Sequence, residues 1–199
     1  SARIASTIRK AQAHGIRIPN EPIVDGTAVF ERMRRLRARI APADSVHHLT
    51  KTGVDVFLGH AQFTAPNKVE VGGQTLTFAR AVIATGARAA VPPIPGIRET
   101  AFLTNETLFQ LTDIPARFAM IGAGPIGCEM AQTFARLGSK VTLIDASMHI
   151  LIREDADAAK LVQQALLHDG VELILSAKVK SVCRNGQETA VLLEQAGIS

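Results

Sequence analysis

The chain has 199 residues, 47% of them hydrophobic and 20% charged, and a net charge of +4. That size suits one large domain or two small ones, with enough apolar residues for a buried core. No apolar run approaches the ~18 residues of a membrane span, no signal peptide is visible in a chain that starts at Ser1, and Cys128 and Cys183, far apart and without histidines at ligand spacing, give a metal site no support.

Residues 1–14, "SARIASTIRKAQAH", read as a helix stopped by Gly15. A loop with two prolines, "IRIPNEPIVDG", leads to a second helix, capped by Asp25 or Thr27 and running to about Ile40 before Pro42. Much of the positive charge sits in its stretch "ERMRRLRARI". Phe30, Met33, Leu36 or Arg37, and Ile40 recur at helical spacing, so the arginines take the opposite, solvated face. Trp and Tyr are absent, so no aromatic platform is offered to nucleic-acid bases and none is expected as a partner. A shorter helix is expected over 43–50, with His47 and His48 on the surface.

The period then changes. "VDVFLGHAQF" alternates like a strand, and "KVEV", Gly72–Gly73 and "TLTF" read as a hairpin. "RAVIAT", ending at Gly86, is almost wholly apolar, as a strand buried on both faces would be. "VPPIPG" is neither helix nor good strand. The domain boundary is placed near Pro115, which gives parts of 1–115 and 116–199. From Ala116 the order is strand ("RFAMIG"), glycine turn, helix from Pro125 to Leu137, strand ("KVTLID"), helix from Asp155 to His168, strand ("VELIL"). "KVKSVCR", Asn185–Gly186 and "TAVLLEQ" close the chain as a hairpin. The expected class is α/β, a Rossmann-like domain with a parallel sheet and a β-meander.

Gly122, Gly124 and Gly127 form G-x-G-x-x-G between an apolar strand and a helix, and Asp145 ends the next strand about 20 residues on. Each residue has its own reason. Gly122 permits a tight turn, Gly124 lets a pyrophosphate approach the backbone, and Gly127 lets helix and strand pack closely. The helix tip offers free N–H donors and partial positive charge. Asp145 would accept from a ribose 2′-hydroxyl and repel a 2′-phosphate, so NAD(H) is favoured over NADP(H); His149 and Arg153 lie nearby in sequence. No nucleophile, general base or carboxylate pair stands out, so no catalytic residue is assigned. Cys128, near the helix start, is read as a small apolar side chain facing the sheet rather than a reactive thiol, and His168 as a helix-end residue. The sparse, unpaired thiols suit a reducing compartment and a cytoplasmic location.

"RAVIATGARAAVPPIPG", the run from "NETLFQ" to "LIDA", and "ILIREDADAA" together resemble the FAD-dependent pyridine nucleotide–disulfide oxidoreductases, which include mercuric reductase and dihydrolipoamide dehydrogenase. "SARIASTIRKAQAHGI" looks like the helix after that family's redox-active disulfide. The resemblance implies that the loop at Gly122 belongs to the second dinucleotide fold, with NAD(P)H as its ligand, preceded by an incomplete FAD-binding portion. It implies that Ala84, Thr85 and Gly86 pass close to the flavin, that Pro125 and Ile126 wall the nicotinamide pocket, and that Glu129 lies near both rings.

The chain departs from the family pattern in having no first G-x-G-x-x-G and no C-x-x-x-x-C. The resemblance therefore implies an internal fragment of a homodimeric flavoprotein that moves hydride between NAD(P)H, FAD and a disulfide. The isolated chain would be inactive and would self-associate through an uncovered sheet edge beside the A-T-G strand. The alternatives are a non-catalytic NAD-binding module and a folded remnant without ligand.

Overall fold

The computed structural model describes residues 1–20, 22–186 and 188–195. In chain order the elements are α1 (Ala2–Arg9), α2 (Gly26–Ile40), α3 (Val46–Lys51), β1 (Gln62–Ala65), β2 (Lys68–Val71), β3 (Gln74–Thr77), β4 (Arg117–Ile121), α4 (Pro125–Leu137), β5 (Lys140–Ile144), α5 (Ala156–His168), β6 (Glu172–Ile174), β7 (Ala177–Asn185) and β8 (Glu188–Gln195). Two compact units result, one of residues 1–31 and 89–199, the other of residues 32–88. No helix among the described residues is long and apolar enough to cross a membrane.

The larger unit carries the expected α/β core. Strands β4, β5 and β6 lie in that order and run parallel. The central strand β5 is buried on both faces, with Val141 and Leu143 on one side and Ile144 on the other, and Ala131 and Phe134 of α4 are buried too, whereas edge strand β4 leaves Ala119 and Ile121 exposed. Phe134 stands edge-on to Phe118 of β4, ring centroids 4.8 Å apart, a geometry worth about 0.5–1.5 kcal/mol beyond the area it buries. Gly138, at φ +109°, ends α4. The chain turns at once into β5, where the Lys140 amide donates to Ala116 O at 2.9 Å and the Ser139 hydroxyl to Pro115 O at 2.6 Å.

Helix α1 packs on α4 through Ala5 and Ser6, both buried. Its Arg9 guanidinium donates to Arg136 O at 2.9 Å, at the carbonyl end of α4, where a cation is favoured. Just past α5, Asp169 accepts from Gln132 Nε2 at 2.9 Å and from Arg136 Nε at 2.8 Å, with Arg136 Nη2 at 2.7 Å. That carboxylate is only 6% exposed, and it ties the two helices together. The β7–β8 hairpin pairs Asn185 with Glu188, with Gly186 at φ +63° in the turn. The proline-rich segment docks on it, the Val182 amide donating to Pro95 O at 2.9 Å.

The smaller unit holds the antiparallel meander β1–β2–β3. Gly72 and Gly73 turn at positive φ, and Phe63 and Phe78 meet edge-on at 5.8 Å.

Several sequence expectations shift. The first helix is shorter: α1 gives way to a 3-10 turn at Ala11–His14, closed by Gly15. Asp25 is the cap of α2, its Oδ1 accepting the Ala28 amide at 2.9 Å. The apolar stripe of α2 is buried only at Phe30; Leu36 and Ile40 are 37% and 61% exposed. Helix α3 starts at Val46, with Ser45 Oγ accepting the His48 amide. Residues 54–61 form no strand, and only the end of that alternating run pairs, as β1.

"RAVIAT" is not a strand either, and Val82 and Ile83 are 92% and 71% exposed. A strand buried on both faces exists only where a ladder partner and two covering layers are supplied. Among the described residues none pairs with 80–85.

Candidate functional site

Parallel register builds the site. Ile121 pairs with Ile144 at the carboxyl ends of β4 and β5, so the next residues, Gly122 and Asp145, emerge side by side. The Gly122 amide donates to Ile144 O at 2.8 Å, and the Asp145 amide to Ile174 O at 3.0 Å. Crevices of open parallel sheets form at this end.

Gly122 turns at φ +104°, in the left-handed half of the map that a side chain disfavours. Gly124 is extended and caps α4 without a side-chain cap, and no acid stands in the helix's first turn. The first bond inside α4 runs from the Cys128 amide to Gly124 O, 3.0 Å. Pro125 has no N–H, so the amides of Ile126 and Gly127 face the helix tip with no intrahelical partner. The tip is open: a Cβ built on Gly122 or Gly124 would meet nothing within 4 Å. Gly127 is the opposite case, since a Cβ there would lie 1.9 Å from Gly122 O and 3.7 Å from Leu143 Cδ1. The three glycines therefore divide their work into turn, open face and close packing.

Asp145 is half-buried and points at the loop. Its Oδ2 accepts the Ala123 amide at 2.6 Å and its Oδ1 the Ser147 amide at 2.7 Å. Burial opposes its charge, but the N–H groups of Ala123 and Ser147 and the Ser147 hydroxyl outweigh that and hold the carboxyl below its ordinary value. A carboxylate has about four acceptor positions, so the two amides and the Ser147 hydroxyl still leave capacity for a sugar hydroxyl. Sequence reasoning missed Ala123 and Ser147. An aspartate two residues before Ser147 is the pattern of a side chain bonding its own backbone two residues on, and it was there to be read.

Cys128 is buried, and its thiol donates to Ala123 O at 3.4 Å. Burial first, then the charges of Asp145 and Glu129, push its pKa up to about 11. This agrees with a packed side chain and not with a reactive thiol. Pro125 and Glu129 line a groove of about 370 Å³ with Cys128, Gln132, Leu151, Glu154, Val162 and Leu166. Ile126 is 58% exposed at the tip. His149 Nδ1 lies 2.8 Å from Ile150 O, and Arg153 is exposed. Ala84, Thr85 and Gly86 belong to the smaller unit, outside any strand, with Gly86 at φ +69°. Among the described residues no group of three His, Cys, Asp or Glu side chains forms a metal cluster.

Residues 7–198 match the family described as pyridine nucleotide-disulphide oxidoreductase. The chain is 35% identical to a mercuric reductase of Staphylococcus aureus over 145 residues, 73% of this chain and 26% of that one. It is 32% identical to a dihydrolipoyl dehydrogenase of Acholeplasma laidlawii over 186 residues, 92% of this chain and 55% of that one. Among solved structures, the HOCl-induced flavoprotein disulfide reductase RclA from Escherichia coli superposes with a TM-score of 0.73 at 32% identity, covering 87% of this chain and 40% of that one. The chain thus spans between a quarter and about half the length of these relatives.

Proposed function

The chain belongs to the pyridine nucleotide-disulphide oxidoreductase family, whose cofactors are FAD and a pyridine nucleotide; from that premise we propose that it carries the family's nicotinamide-dinucleotide site in residues 116–199, following part of the FAD-binding domain in 1–115. The observation that carries this reading is an open glycine tip with an ionised acid docked beside it.

The free amides of α4 and the bare backbone at Gly124 hold the pyrophosphate. Asp145 accepts from the adenosine ribose and disfavours a 2′-phosphate, so NAD(H) is taken over NADP(H). Pro125, Ile126 and Glu129 wall the ring end. Ala84, Thr85 and Gly86 approach the flavin in the assembled protein, where Gly86 presents no side chain. When bound, the nicotinamide supplies the hydride and the flavin relays it toward a disulfide. The part that residues 116–199 play is to bind and orient the dinucleotide. Its two cysteines are free thiols, which suits a reducing, cytoplasmic setting.

Calorimetry with NADH and NADPH tests the reading. NADH is expected to bind more tightly, and Gly124→Asp to abolish binding by placing a side chain and a like charge at the open tip. A folded sample that binds neither nucleotide overturns it.

A second reading rests on Asp145 itself, because a loop closed on its own acid could be a remnant that binds nothing. Equal indifference of wild type and Gly124→Asp to nucleotide would favour it. We also infer self-association. It is supported by the exposed Val82 and Ile83 and by the outer side of β4, which no described strand covers. A sedimentation coefficient that does not change with concentration and fits a monomer would refute it.

A further inference from the structure

The buried centre of the glycine loop is Ala123, 2% exposed between its two glycines. Its amide donates to Asp145 Oδ2 at 2.6 Å. Its carbonyl accepts the Leu151 amide at 2.9 Å and the Cys128 thiol at 3.4 Å. The other Asp145 oxygen is held by the Ser147 amide at 2.7 Å. Leu151 reaches Ala123 from φ +51°, a left-handed conformation that a side-chain-bearing residue disfavours, so the segment from Asp145 to Leu151 closes on the loop from both sides of one residue.

A glycine-rich turn has many accessible backbone states. The direction in which Gly124 presents its open face depends on how the peptide before Ala123 is rotated. A charge-assisted hydrogen bond fixes that rotation more firmly than a neutral one.

We propose that Asp145 is a positioning residue for the phosphate-holding loop as well as a reader of the ribose, its carboxylate setting the peptide plane between Gly122 and Ala123. The inference rests on the dinucleotide reading above and goes one step past it. Exchange of Asp145 weakens binding of a dinucleotide that has no 2′-hydroxyl to read. It follows that neutralising Asp145 alone does not convert the site to NADP(H), because the pyrophosphate cradle loosens along with the ribose contact.

The test is titration of the full 199-residue chain with NADH and with 2′-deoxy-adenosine NADH, for wild type, Asp145→Ala and Asp145→Asn. Toward the 2′-deoxy ligand, Asp145→Ala is expected to lose about tenfold in affinity, the scale of a lost hydrogen bond to a charged group. Asp145→Asn keeps one acceptor for Ala123 and should regain part of that loss. In Asp145→Ala the Ala123 amide should also exchange faster with solvent, while the Leu143 amide, deep in β5, stays protected and reports an intact fold. Equal affinity of all three proteins for the 2′-deoxy ligand, with wild type still binding NADH, overturns the inference and leaves the dinucleotide reading standing. Failure of wild type to bind NADH overturns both.

Discussion

A Cβ on Gly127 would lie 1.9 Å from the carbonyl oxygen of Gly122. The first turn of α4 therefore rests directly on the backbone it is meant to shape. Gly127→Ala cannot be absorbed by a side chain swinging aside, because the atom it meets is main chain. The helix start and the glycine turn must part, at an overpacking cost of about 1–3 kcal/mol. A urea titration should show the lower midpoint with an unchanged slope. An unchanged midpoint would mean that the close approach is not a feature of the folded protein.

Asp145 makes stability depend on acid. Its folded pKa lies below the ordinary 3.8. The stabilisation is therefore complete above the unfolded value and is lost as pH falls through the lower, folded one. Against Asp145→Asn, wild type should be more stable near neutrality by about 1 kcal/mol, trimmed by solvent reaching the half-buried side chain. The two proteins should converge in acid, below pH 3.8. Thermal melts across that range would expose the opposite trend if the carboxyl were held protonated.

The two cysteines should separate cleanly under alkylation. Cys183 is exposed, whereas Cys128 is buried with its thiol pKa pushed up to about 11. Iodoacetamide at neutral pH should label Cys183 in the native protein and reach Cys128 only after unfolding, as read by peptide mass spectrometry. Native labelling of Cys128 at a comparable rate would contradict the packing of that side chain against Ala123.

Asp169 joins α4 to α5. It is nearly buried and accepts from Gln132 and Arg136. Removing it leaves a guanidinium that is only a quarter exposed without its counter-charge. Asp169→Ala should cost about 2–4 kcal/mol. Replacing Arg136 and Asp169 together by apolar residues should cost less than the two single changes added. Additive losses in that cycle would show that the pair is not coupled.

From Pro115 onward, most of the architecture could be read in the residues. Short apolar runs, Pro125 at a helix start, and Gly138 and Gly170 past helix ends each act locally, so the order β4–α4–β5–α5–β6 follows from them. The region before Pro115 was read less well, for a physical reason. "RAVIAT" carries the composition of a doubly buried strand, but composition cannot supply the neighbour that would pair with it. Leu36 and Ile40 repeat at helical spacing, yet burial needs an opposing surface that periodicity does not name. In the site, the glycines and Asp145 declared themselves by type and spacing. Ala123 and Leu151 did not, because their contribution is made by main-chain groups, and any side chain of suitable size could have stood there.

The two-residue link Gly138–Ser139 between α4 and β5 constrains how this protein can vary in length. Adding or removing one residue there would slide β5 past β4 and send the acid to the far face of the sheet, so chain-length changes at that link should be rejected in any functioning relative. Between Leu151 and α5 residues 152–155 are exposed, and insertions gathered there would leave the pairing of glycine turn and acid untouched.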